Sequence, residues 1–585
     1  MKGSIRFLAI LTLILAVLGM FFLYDSLQPK PDSSPEKEVA AQLNLNKARF
    51  APGETISFSL TLPRKSKQKT AIIRYYHLDS PVDSQTVSLS KSKTNWNWTP
   101  PKDDYRGYLA ETVIDGQRFT IGIDISSDWS KFPRYGFLSD FSDKATENSA
   151  SVLKQLNRYH INGLQFYDWQ FKHHNPLKME DGEIQQQWED IANRDVSVPV
   201  LKNYIASAKE FNMQTMAYNL IYGTYENAGP DGVKDEWRVY KDENHAEQDI
   251  HPLPEDWKSN VYLLNSGNPE WQQYILSKQN EIYQHLAFDG WHIDQLGPRG
   301  EVYDYDGNKL NLEEEFDEFL HHGKSKAPDK SLVMNAVNQY GQEQIGTTPV
   351  NFMYTEVWDE YKQYKDLKRI IDDNADYSGG KNTVLAAYMN YNLSKEKPGN
   401  FNVPGVLLAN SVIFSSGGAH LELGEHMLSS EYFPNKNLKM TARFKEQLTG
   451  YYDFLVAYQN LLRGDGLHQV PLKASSNIEI NSEPEQGKIW GFSKSSGRQR
   501  MIHMINFTKA DSMEWRDAEG TQPEPDLIRG LEVQIKEDKP VKKIWAASPD
   551  SRQAAPVPVH FSQKDENVTI TVPSLKYWTM LVMEY

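Results

Sequence analysis

The sequence predicts a multidomain protein: a (β/α)8 barrel flanked by an N-terminal immunoglobulin-like β-sandwich and a C-terminal Greek-key β-sandwich. Three observations lead to this fold class. The chain has 585 residues, more than a single hydrophobic core organises. Strand-like and helix-like segments alternate through its middle, as they do around a parallel sheet. Both ends instead carry short alternating runs separated by Pro and Gly turns, which is typical of antiparallel sandwiches.

The amino terminus has the features of an export segment. Lys2 and Arg6 precede an apolar run over residues 7–24, which is long enough to span a membrane. The bulky end of this run leaves no small-residue cleavage site close by, so residues 1–25 are predicted to be either an uncleaved membrane anchor or a cleaved signal peptide. Residues 26–40 are rich in Pro, Ser and charge and are predicted to be a flexible linker. The protein is therefore predicted to be extracytoplasmic and to meet a membrane only through this segment.

Residues 41–128 are predicted to form the N-terminal sandwich. Alternating segments at 56–62, 71–76 and 107–113 show no helical period. None of them carries a pattern that suggests chemistry. A packing domain is the favoured interpretation, and a spacer or accessory sugar-binding module is the alternative.

Residues 129–465 are predicted to form the barrel. The eight strand candidates lie at 135–141, 161–167, 213–222, 290–295, 331–338, 352–358, 384–391 and 419–423. Helical runs lie between them at 144–159, 201–211, 271–285, 312–321 and 361–373. Strict alternation implies a parallel sheet, and eight strands imply closure of that sheet into a barrel. Residues 466–585 return to alternating runs and are predicted to form the C-terminal sandwich.

Composition narrows the possible partners and chemistry. The formal net charge of −15 argues against nucleic acid or anionic lipid as a partner. The sequence has no Cys, which excludes disulfides, thiol catalysis and Cys-ligated zinc. It is rich in rings, with 14 Trp and 31 Tyr. Most rings fill cores, but such a surplus suits the binding of sugars, whose apolar faces stack on aromatic side chains.

The predicted strand tips carry the candidate site, because catalysis in this fold occurs at the C-terminal ends of the strands. They combine carboxylates, amides and aromatic rings, a mixture that a sugar site requires. The predicted substrate-binding residues at these tips are Tyr167, Asp168, Trp169, Tyr218, Asn219, Trp291, Trp358, Asn390 and Glu422. For Trp169, Trp291 and Trp358, at least partial packing in the core is the alternative. Asp168, between two rings, is predicted to bind sugar hydroxyls in a terminal subsite.

Asp294 and Glu356 form the candidate catalytic pair. Glycosidic cleavage uses one ionised and one protonated carboxyl group. These two residues end strands four and six, whose backbones lie roughly 10 Å apart, so inward side chains can approach to about 5 Å. The shorter Asp294 suits a fixed nucleophile, and Glu356 beside Trp358 suits an acid whose pKa is raised by apolar surroundings. A cap or loop-stabilising role is the alternative for Asp294.

Other carboxylates and a histidine pair compete with this assignment. Asp140, Asp168 and Glu422 lie at equivalent heights on other strands. His173 and His174 suggest a metal, but adjacent residues rarely point the same way and no third ligand has suitable spacing. No metal or other cofactor is therefore predicted.

The strand-tip motifs resemble those of glycoside hydrolase family 66. The motifs are 167–169, 288–297, 354–358, 386–391 and 417–424, and the strand-four and strand-six motifs are the most specific. The family contains endo-dextranases and cycloisomaltooligosaccharide glucanotransferases. The resemblance implies that Asp294 is the nucleophile and Glu356 the acid/base of a retaining enzyme that cleaves internal α-1,6-glucosidic bonds of dextran-like glucans.

Two alternatives to hydrolysis stay open, one from the same family and one from a different class of protein. Family members that cyclise often carry a carbohydrate-binding module inserted in the barrel, and the sequence has no room for one, which favours hydrolysis. The second reading is a transglycosylase that makes cyclic or linear isomaltooligosaccharides. The third is a non-catalytic, membrane-tethered glucan-binding protein. The expected partner in each case is an α-glucan or an isomaltooligosaccharide, and the oligomeric state is not predicted.

Overall fold

The computed structural model describes residues 42–62, 66–91, 93–550 and 554–585. It shows a multidomain protein with a nearly closed eight-stranded parallel barrel and several antiparallel sheets. The predicted signal or anchor and the predicted linker lie outside the described residues. The boundaries drawn at 41–128, 129–465 and 466–585 stay predictions. No helix in the described part of the chain has the length and apolar character needed to cross a membrane.

The amino-terminal sheets enclose a single hydrophobic core. Their seven strands are Gln42–Leu45, Ile56–Thr61, Thr70–His77, Ser80–Ser88, Lys93–Trp98, Arg106–Ile114 and Gln117–Ile125. A three-stranded and a four-stranded antiparallel sheet form from them. Alternate residues face inward, as Phe58, Tyr75 and Trp96 do, and their rings pack together between the sheets.

Eight parallel strands form the barrel in chain order. They are Tyr135–Leu138, Gly163–Phe166, Gln214–Leu220, Gly290–Asp294, Ser331–Val337, Met353–Glu356, Thr383–Ala386 and Ala419–His420. The Phe137 N–H donates to the Leu423 carbonyl at 3.0 Å and joins the first strand to the segment after the eighth. Every strand predicted from the sequence is present. The observed strands end earlier than predicted because the tip residues leave the ladder to form loops.

Helices surround the barrel. The α-helices are Ser149–Arg158, Val198–Glu210, Pro269–His285, Leu312–Lys326, Gln342–Thr347, Tyr364–Ser378, Leu393–Glu396, Val403–Ser416, Ala442–Ala457 and Gln459–Arg463, with 3-10 turns at Trp129–Lys131, Asp143–Glu147, Gly229–Asp231 and Asp235–Trp237. The Asn268 side chain caps the helix before strand four by accepting from the N–H groups of Glu270 and Trp271. Val403–Ser416 is apolar all round, which suits its position between the barrel and the later helices.

The barrel interior is filled by alternate residues of the strands. His292 lies one inward position below Asp294 on strand four, and its ring packs against Tyr135, Tyr218 and Tyr354. These four rings form a layer that we call the aromatic floor. The floor closes the barrel beneath the strand tips, so a ligand approaches only from the open end.

The carboxyl-terminal sheets pack into a second sandwich-like unit. Their strands are His468–Val470, Ala474–Ser476, Ile480–Asn481, Ile489–Ser496, Gln499–Asn506, Ile528–Lys536, Lys543–Ala547, Val557–Pro558, Phe561–Lys564, Asn567–Leu575 and Trp578–Glu584, in one seven-stranded and one four-stranded sheet. The chain between Asn506 and Ile528 leaves these sheets and returns to the barrel.

Small two- and three-stranded sheets shape the loops over the barrel mouth. They consist of Met179–Glu180 with Glu183–Ile184, Gln187–Glu189 with Asp195–Ser197, Gly223–Thr224 with Val261–Leu263 and Ile250–His251, and Gly399–Asn400 with Leu438–Lys439. The long segment between strands three and four is therefore an ordered elaboration on the side where the strand tips open.

Candidate active site

Asp294 is the last residue of strand four, and its carboxylate is held on both oxygens. Oδ2 accepts from the Tyr218 hydroxyl at 2.8 Å. Oδ1 accepts from Asn335 Nδ2 at 2.7 Å and from the Gln295 N–H at 2.9 Å. Three donors from three elements fix the orientation of this carboxylate, as a nucleophile requires.

Glu356 is the last residue of strand six and faces Asp294. Its Oε1 accepts from the Tyr388 hydroxyl at 2.6 Å, and its Oε2 accepts from Asn335 Nδ2 at 3.0 Å. The backbone N–H of Glu356 in turn donates to Asn335 Oδ1 at 3.1 Å. The side chain of one residue on strand five therefore contacts both carboxyl groups and the strand that carries the second.

The shared nitrogen limits the separation of the two carboxyl groups. Asp294 Oδ1 and Glu356 Oε2 lie 2.7 Å and 3.0 Å from the same Asn335 nitrogen, so their separation cannot exceed the sum of these contacts. Retaining pairs lie about 5–5.5 Å apart and inverting pairs about 6.5–9.5 Å apart. This upper bound lies below the separation of inverting pairs.

Burial raises the pKa of both carboxyl groups, and the neighbouring groups modify each shift differently. It raises the pKa of Glu356, the charge of Asp294 raises it further, and the pKa reaches about 7 despite the hydrogen bonds from Tyr388 and Asn335. Burial also raises the pKa of Asp294, while the bonds from Asn335, Tyr218 and Gln295 oppose the shift. A proton shared between the two near neutral pH therefore favours Glu356 as the acid.

The aromatic floor keeps the base of the site apolar and uncharged. Burial lowers the pKa of His292 to about 3, so its imidazole is neutral at physiological pH. Its Nδ1 lies 3.2 Å from the Tyr135 hydroxyl. Because the floor is neutral, it supplies no positive charge to stabilise the ionised carboxylates above it. The effect of burial, which disfavours their ionised forms, is therefore not offset by the floor.

Two predicted substrate-binding residues, Tyr167 and Asp168, lie beside the pair at the end of strand two. The Tyr167 ring stacks on Phe433 with centroids 4.3 Å apart and contacts the ring of Tyr218. Burial raises the pKa of Asp168 to about 6, and Arg194, 3.9 Å away, opposes the shift. Asp168 has a positive φ of 46°, which turns the chain sharply as strand two ends.

The aromatic residues on the other side of the pair follow strands six and seven. Trp358 is partly exposed and contacts the Tyr388 ring at 5.5 Å. It also meets Tyr391 edge-on at 6.0 Å, and the Tyr391 hydroxyl donates to Glu431 Oε1 at 2.8 Å. Rings and carboxylates thus border the candidate catalytic pair on two sides, an arrangement suited to a sugar chain.

Comparison with protein-family models decides the family, because the model "Glycosyl hydrolase family 66" matches residues 45–582. The chain belongs to glycosyl hydrolase family 66. It is therefore an enzyme of the glycoside hydrolase type.

Two relatives of known name align over most of the chain. A cycloisomaltooligosaccharide glucanotransferase of Niallia circulans is 28% identical over 697 aligned positions, which cover 92% of this chain and 72% of that protein. A dextranase of Streptococcus salivarius is 23% identical, with 82% of this chain and 67% of that protein aligned.

Solved structures agree with the fold. A cycloisomaltooligosaccharide glucanotransferase of Paenibacillus sp., solved with cycloisomaltoheptaose, superposes with a TM-score of 0.87 at 25% identity and covers 93% of this chain and 100% of that one. A maltogenic α-amylase of Thermotoga neapolitana has a TM-score of 0.50 at 12% identity over 78% of this chain and 99% of its own, which shows a shared fold alone.

Two tryptophans predicted to bind substrate in this family 66 enzyme are core residues, which corrects that expectation. Trp291 lies between inward-facing neighbours on strand four, so its ring points outward and packs on Phe319 of a surrounding helix. Trp169 is fully buried against Phe288, and its Nε1 donates to the Tyr218 carbonyl at 3.1 Å. Neither ring reaches the mouth.

Three polar residues predicted to contact substrate instead form hydrogen bonds with other parts of the protein. Asn219 points out of the barrel and bonds His173 through both side-chain atoms. Asn390 is buried and bonds Asp517 of the carboxyl-terminal unit. Glu422 is buried outside the barrel and accepts from Asn410. These side chains hold loops and helices in place, which corrects the expectation of direct contact.

The remaining competing groups lie away from the pair. Asp140 is exposed and accepts from Ser142, while its own N–H donates to Glu425. His174 bonds Asp231 at 2.9 Å. In the described part of the chain no three His, Cys, Asp or Glu side chains are grouped so as to hold a metal ion.

Sequence analysis missed Asn335 and Tyr388 as site residues. Both lie at strand tips that the sequence identified, and the signal for Asn335 was available. It is the one polar side chain within the apolar part of strand five, and the alternation that turns Val333 inward turns Asn335 inward too. That Asn335 contacts both carboxylates is visible only from the way strand five is aligned with strands four and six in the structure.

Proposed function

We propose that this enzyme is a retaining endo-hydrolase of α-1,6-glucan, with Asp294 as nucleophile and Glu356 as acid/base. The observation that carries the proposal is the double contact of Asn335, which holds the two carboxyl groups closer together than an inverting pair and so supports a retaining mechanism. The raised pKa of Glu356, about 7, supplies the protonated acid that the first step needs.

The reaction proceeds in two displacements. Asp294 attacks the anomeric carbon, and the bond to the leaving glucoside breaks as Glu356 gives its proton to the leaving oxygen. Glu356, now ionised, takes a proton from water, and the water oxygen attacks the same carbon and releases Asp294. The anomeric configuration is inverted twice and is therefore retained.

The substrate assignment is supported by the relatives. They are a dextranase and two cycloisomaltooligosaccharide glucanotransferases. The alignment with the first glucanotransferase extends over 697 positions, more than the 585 residues of this chain. That relative therefore carries sequence with no counterpart here, which supports hydrolysis over cyclisation for this chain.

Transglycosylation is the second candidate, because the relative with a TM-score of 0.87 is named a cycloisomaltooligosaccharide glucanotransferase. The covalent glucosyl-enzyme is the same, and a sugar hydroxyl replaces water in the second step. Chromatography of the products of dextran distinguishes the two. Linear isomaltooligosaccharides shorter than the substrate support hydrolysis, and cyclic or elongated products support transfer.

The proposal is tested by removing each carboxyl group in turn. Asp294→Ala and Glu356→Gln are expected to lower the release of reducing ends from dextran by several orders of magnitude. Asp140→Asn removes a carboxylate at the tip of strand one that does not contact the pair, and it should retain activity. Proton NMR of the first product should show the α-anomer. Full activity in either variant, or a β-anomer as first product, would contradict the assignment.

We also propose, from the sequence, that the enzyme is extracytoplasmic and that the barrel is flanked by two β-sandwich domains. Export across the membrane, followed either by anchoring or by release, places the enzyme where polymeric glucan is found. The seven amino-terminal strands, in sheets of three and four, support an immunoglobulin-like assignment. For the carboxyl-terminal sheets we keep the Greek-key assignment.

A further inference from the structure

Residues 511–522 connect two strands of the carboxyl-terminal unit, and we call them the bridging segment. They leave their own sheets and bond the loops after barrel strands six and seven. The N–H of Trp515 donates to the Lys362 carbonyl at 3.1 Å, and the N–H of Asn390 donates to the Arg516 carbonyl at 2.9 Å. The N–H of Leu393 donates to the Ala518 carbonyl at 2.9 Å. The segment is therefore fixed to the rim of the active site through its backbone.

Side chains reinforce this attachment. The Trp515 ring is buried, and its Nε1 donates to the Tyr361 carbonyl at 2.6 Å. Asp517 accepts from Asn390 and Asn402. The Asp517 carboxylate also lies close to Gly405 in the helix that begins at Val403. A Cβ added at Gly405 would lie only 2.3 Å from this carboxylate, so the helix packs directly on the bridging segment. Such close packing holds the residue between Trp515 and Asp517 in one position.

That residue is Arg516, whose guanidinium lies against the rings beside the catalytic pair. Its Cζ is 5.2 Å from the ring centre of Trp358 and 5.1 Å from that of Tyr391. Its Nη2 donates to the Val357 carbonyl at 3.0 Å, one residue after Glu356. Cation–π contacts of this length orient an aromatic ring as well as stabilise it.

The contacts lead directly to the catalytic acid. Arg516 lies against Trp358, Trp358 packs on Tyr388, and the Tyr388 hydroxyl bonds Glu356. Among the described residues, the guanidinium makes one hydrogen bond and no ion pair. It is partly exposed, so its other N–H groups are free to meet a polar ligand.

We propose that Arg516, supplied by the carboxyl-terminal unit, is a positioning residue of the glucan cleft that fixes the rings of Trp358 and Tyr391 as a binding surface beside Glu356. This rests on the proposed function, since the ligand is the α-1,6-glucan. A guanidinium that holds the Trp358 ring leaves the exposed part of that ring for the apolar face of a glucose unit, and its remaining N–H groups for hydroxyls. The carboxyl-terminal unit then takes part in substrate binding and does not only support the barrel.

The test compares Arg516→Ala and Arg516→Lys with Arg529→Ala, which alters an exposed arginine of the same unit. For a long isomaltooligosaccharide such as isomaltoheptaose, Arg516→Ala is expected to raise KM about tenfold, the effect of losing cation–π and polar contacts, with a much smaller change in kcat. Arg516→Lys should recover part of the loss, because it keeps the charge but not the planar group. Arg529→Ala should match the parent enzyme.

A second measurement does not depend on turnover. In the Glu356→Gln background, calorimetric titration with isomaltoheptaose should show about tenfold weaker binding when Arg516 is also replaced by Ala. Unchanged KM and unchanged affinity in the Arg516 variants would overturn the proposal. If the parent enzyme cleaves no α-1,6-glucan, or if Asp294→Ala stays active, the proposed function fails instead, so the two failures are distinguishable.

Discussion

Asn335 is the residue on which the geometry of the proposed catalytic pair depends most directly. Its amide nitrogen donates to both carboxyl groups, and its oxygen accepts from the Glu356 backbone. Asn335→Ala should lower kcat about 10²–10³-fold, as the loss of one preorganised donor does in other active sites. Asn244→Ala, at an exposed loop, is the control and should leave steady-state kinetics unchanged. A full kcat in Asn335→Ala would show that the carboxylates are positioned without it.

The pH dependence of activity follows from Glu356. Burial first, and then the charge of Asp294, raise its pKa to about 7. The acid must be protonated in the first step, so kcat/KM should fall as the pH rises through about 7. The pKa of Asp294 is raised as well, and because the nucleophile must be ionised, activity should also fall on the acid side.

Tyr388 provides a directed test of that assignment. Its hydroxyl bonds the Glu356 carboxylate and lowers the pKa of Glu356, although burial and Asp294 outweigh this contribution. Tyr388→Phe should therefore move the alkaline limb of the kcat/KM profile to higher pH. Tyr377→Phe, at an exposed ring, should leave the profile in place. A shift to lower pH in Tyr388→Phe would mean that another group controls this limb.

The sequence predicted that Asp294 and Glu356 face each other because both end their strands, where alternation still applies, and both contact Asn335 in the structure. Trp291 and Asn219 were misassigned within their strands, although the same alternation turns both side chains outward. Beyond the strand ends the alternation itself is lost. Asp168 and Asn390 adopt positive φ values of 46° and 55°, which reverse the direction of the side chains that follow. The alternation of inward and outward side chains cannot be extended through such turns. The sequence therefore could not predict which side chains after strands two and seven point into the barrel.

At the scale of the element, strand four depends on the absence of a side chain at Gly290. An added Cβ would lie 2.4 Å from the Ser331 carbonyl on strand five and 2.6 Å from Met216 Cε on strand three. The carbonyl belongs to the backbone and cannot turn away, so the strand itself must move. That movement is transmitted to Asp294, four residues along the same strand.

Gly290→Ala is therefore expected to destabilise the enzyme by about 1–3 kcal/mol, the usual effect of overpacking, and to lower kcat. Thermal unfolding and steady-state kinetics measure the two effects. Gly229→Ala is the matched control, because an ideal Cβ at Gly229 meets nothing within 4 Å and its φ is not positive. Equal melting temperatures for the two variants would refute this account of strand four.

The elements themselves were predictable because hydrophobic periodicity and turn residues are local. All eight barrel strands lie where the apolar runs placed them, and the alternation with helices indicated their parallel order. The first predicted helix, 144–159, is divided into a 3-10 turn at Asp143–Glu147 and a helix at Ser149–Arg158. The bridging segment was not predicted, because its partners are distant in sequence and its contacts are mostly backbone hydrogen bonds.

At the scale of the whole molecule, the amino-terminal sheets join the barrel through buried charges that the sequence could not pair. Asp124 of the last amino-terminal strand meets Arg134 at 2.8 Å, and both side chains are fully buried. Gln459, from the last barrel helix, donates to the same carboxylate at 2.8 Å. Arg134 follows Asp124 by only ten residues, but Gln459 lies 335 residues away. Partners that distant leave no pattern in one sequence, so this part of the interface is visible only in the fold.

Asp453, on the helix Ala442–Ala457, is the most connected of these charges. It accepts from Arg158 at 2.8 Å and 2.9 Å, from His160 at 2.7 Å, and from the Gly122 N–H of the amino-terminal unit at 3.2 Å. Burial raises the pKa of Asp453, but the charge of Arg158 and the bonds from His160 and Arg158 outweigh burial and hold the pKa below its usual range. The carboxylate therefore stabilises the folded state as the ionised form.

Replacing Asp453 by Ala should destabilise the protein by roughly 1–3 kcal/mol at neutral pH, because the buried His160 and the partly exposed Arg158 lose their hydrogen-bond acceptor. The folded state holds the proton less tightly than the unfolded state, whose carboxyl has a pKa of about 3.9, so this stabilisation is present above that pH and is lost as the pH falls below it. The difference in melting temperature between parent and Asp453→Ala should accordingly be large at pH 7 and shrink progressively below about pH 4.

Asp465→Ala is the control. It removes the exposed partner of Lys131 and should change stability by less than about 0.5 kcal/mol at either pH. A pH-independent difference for Asp453→Ala would show that packing, and not the ionised carboxylate, joins the amino-terminal sheets to the barrel.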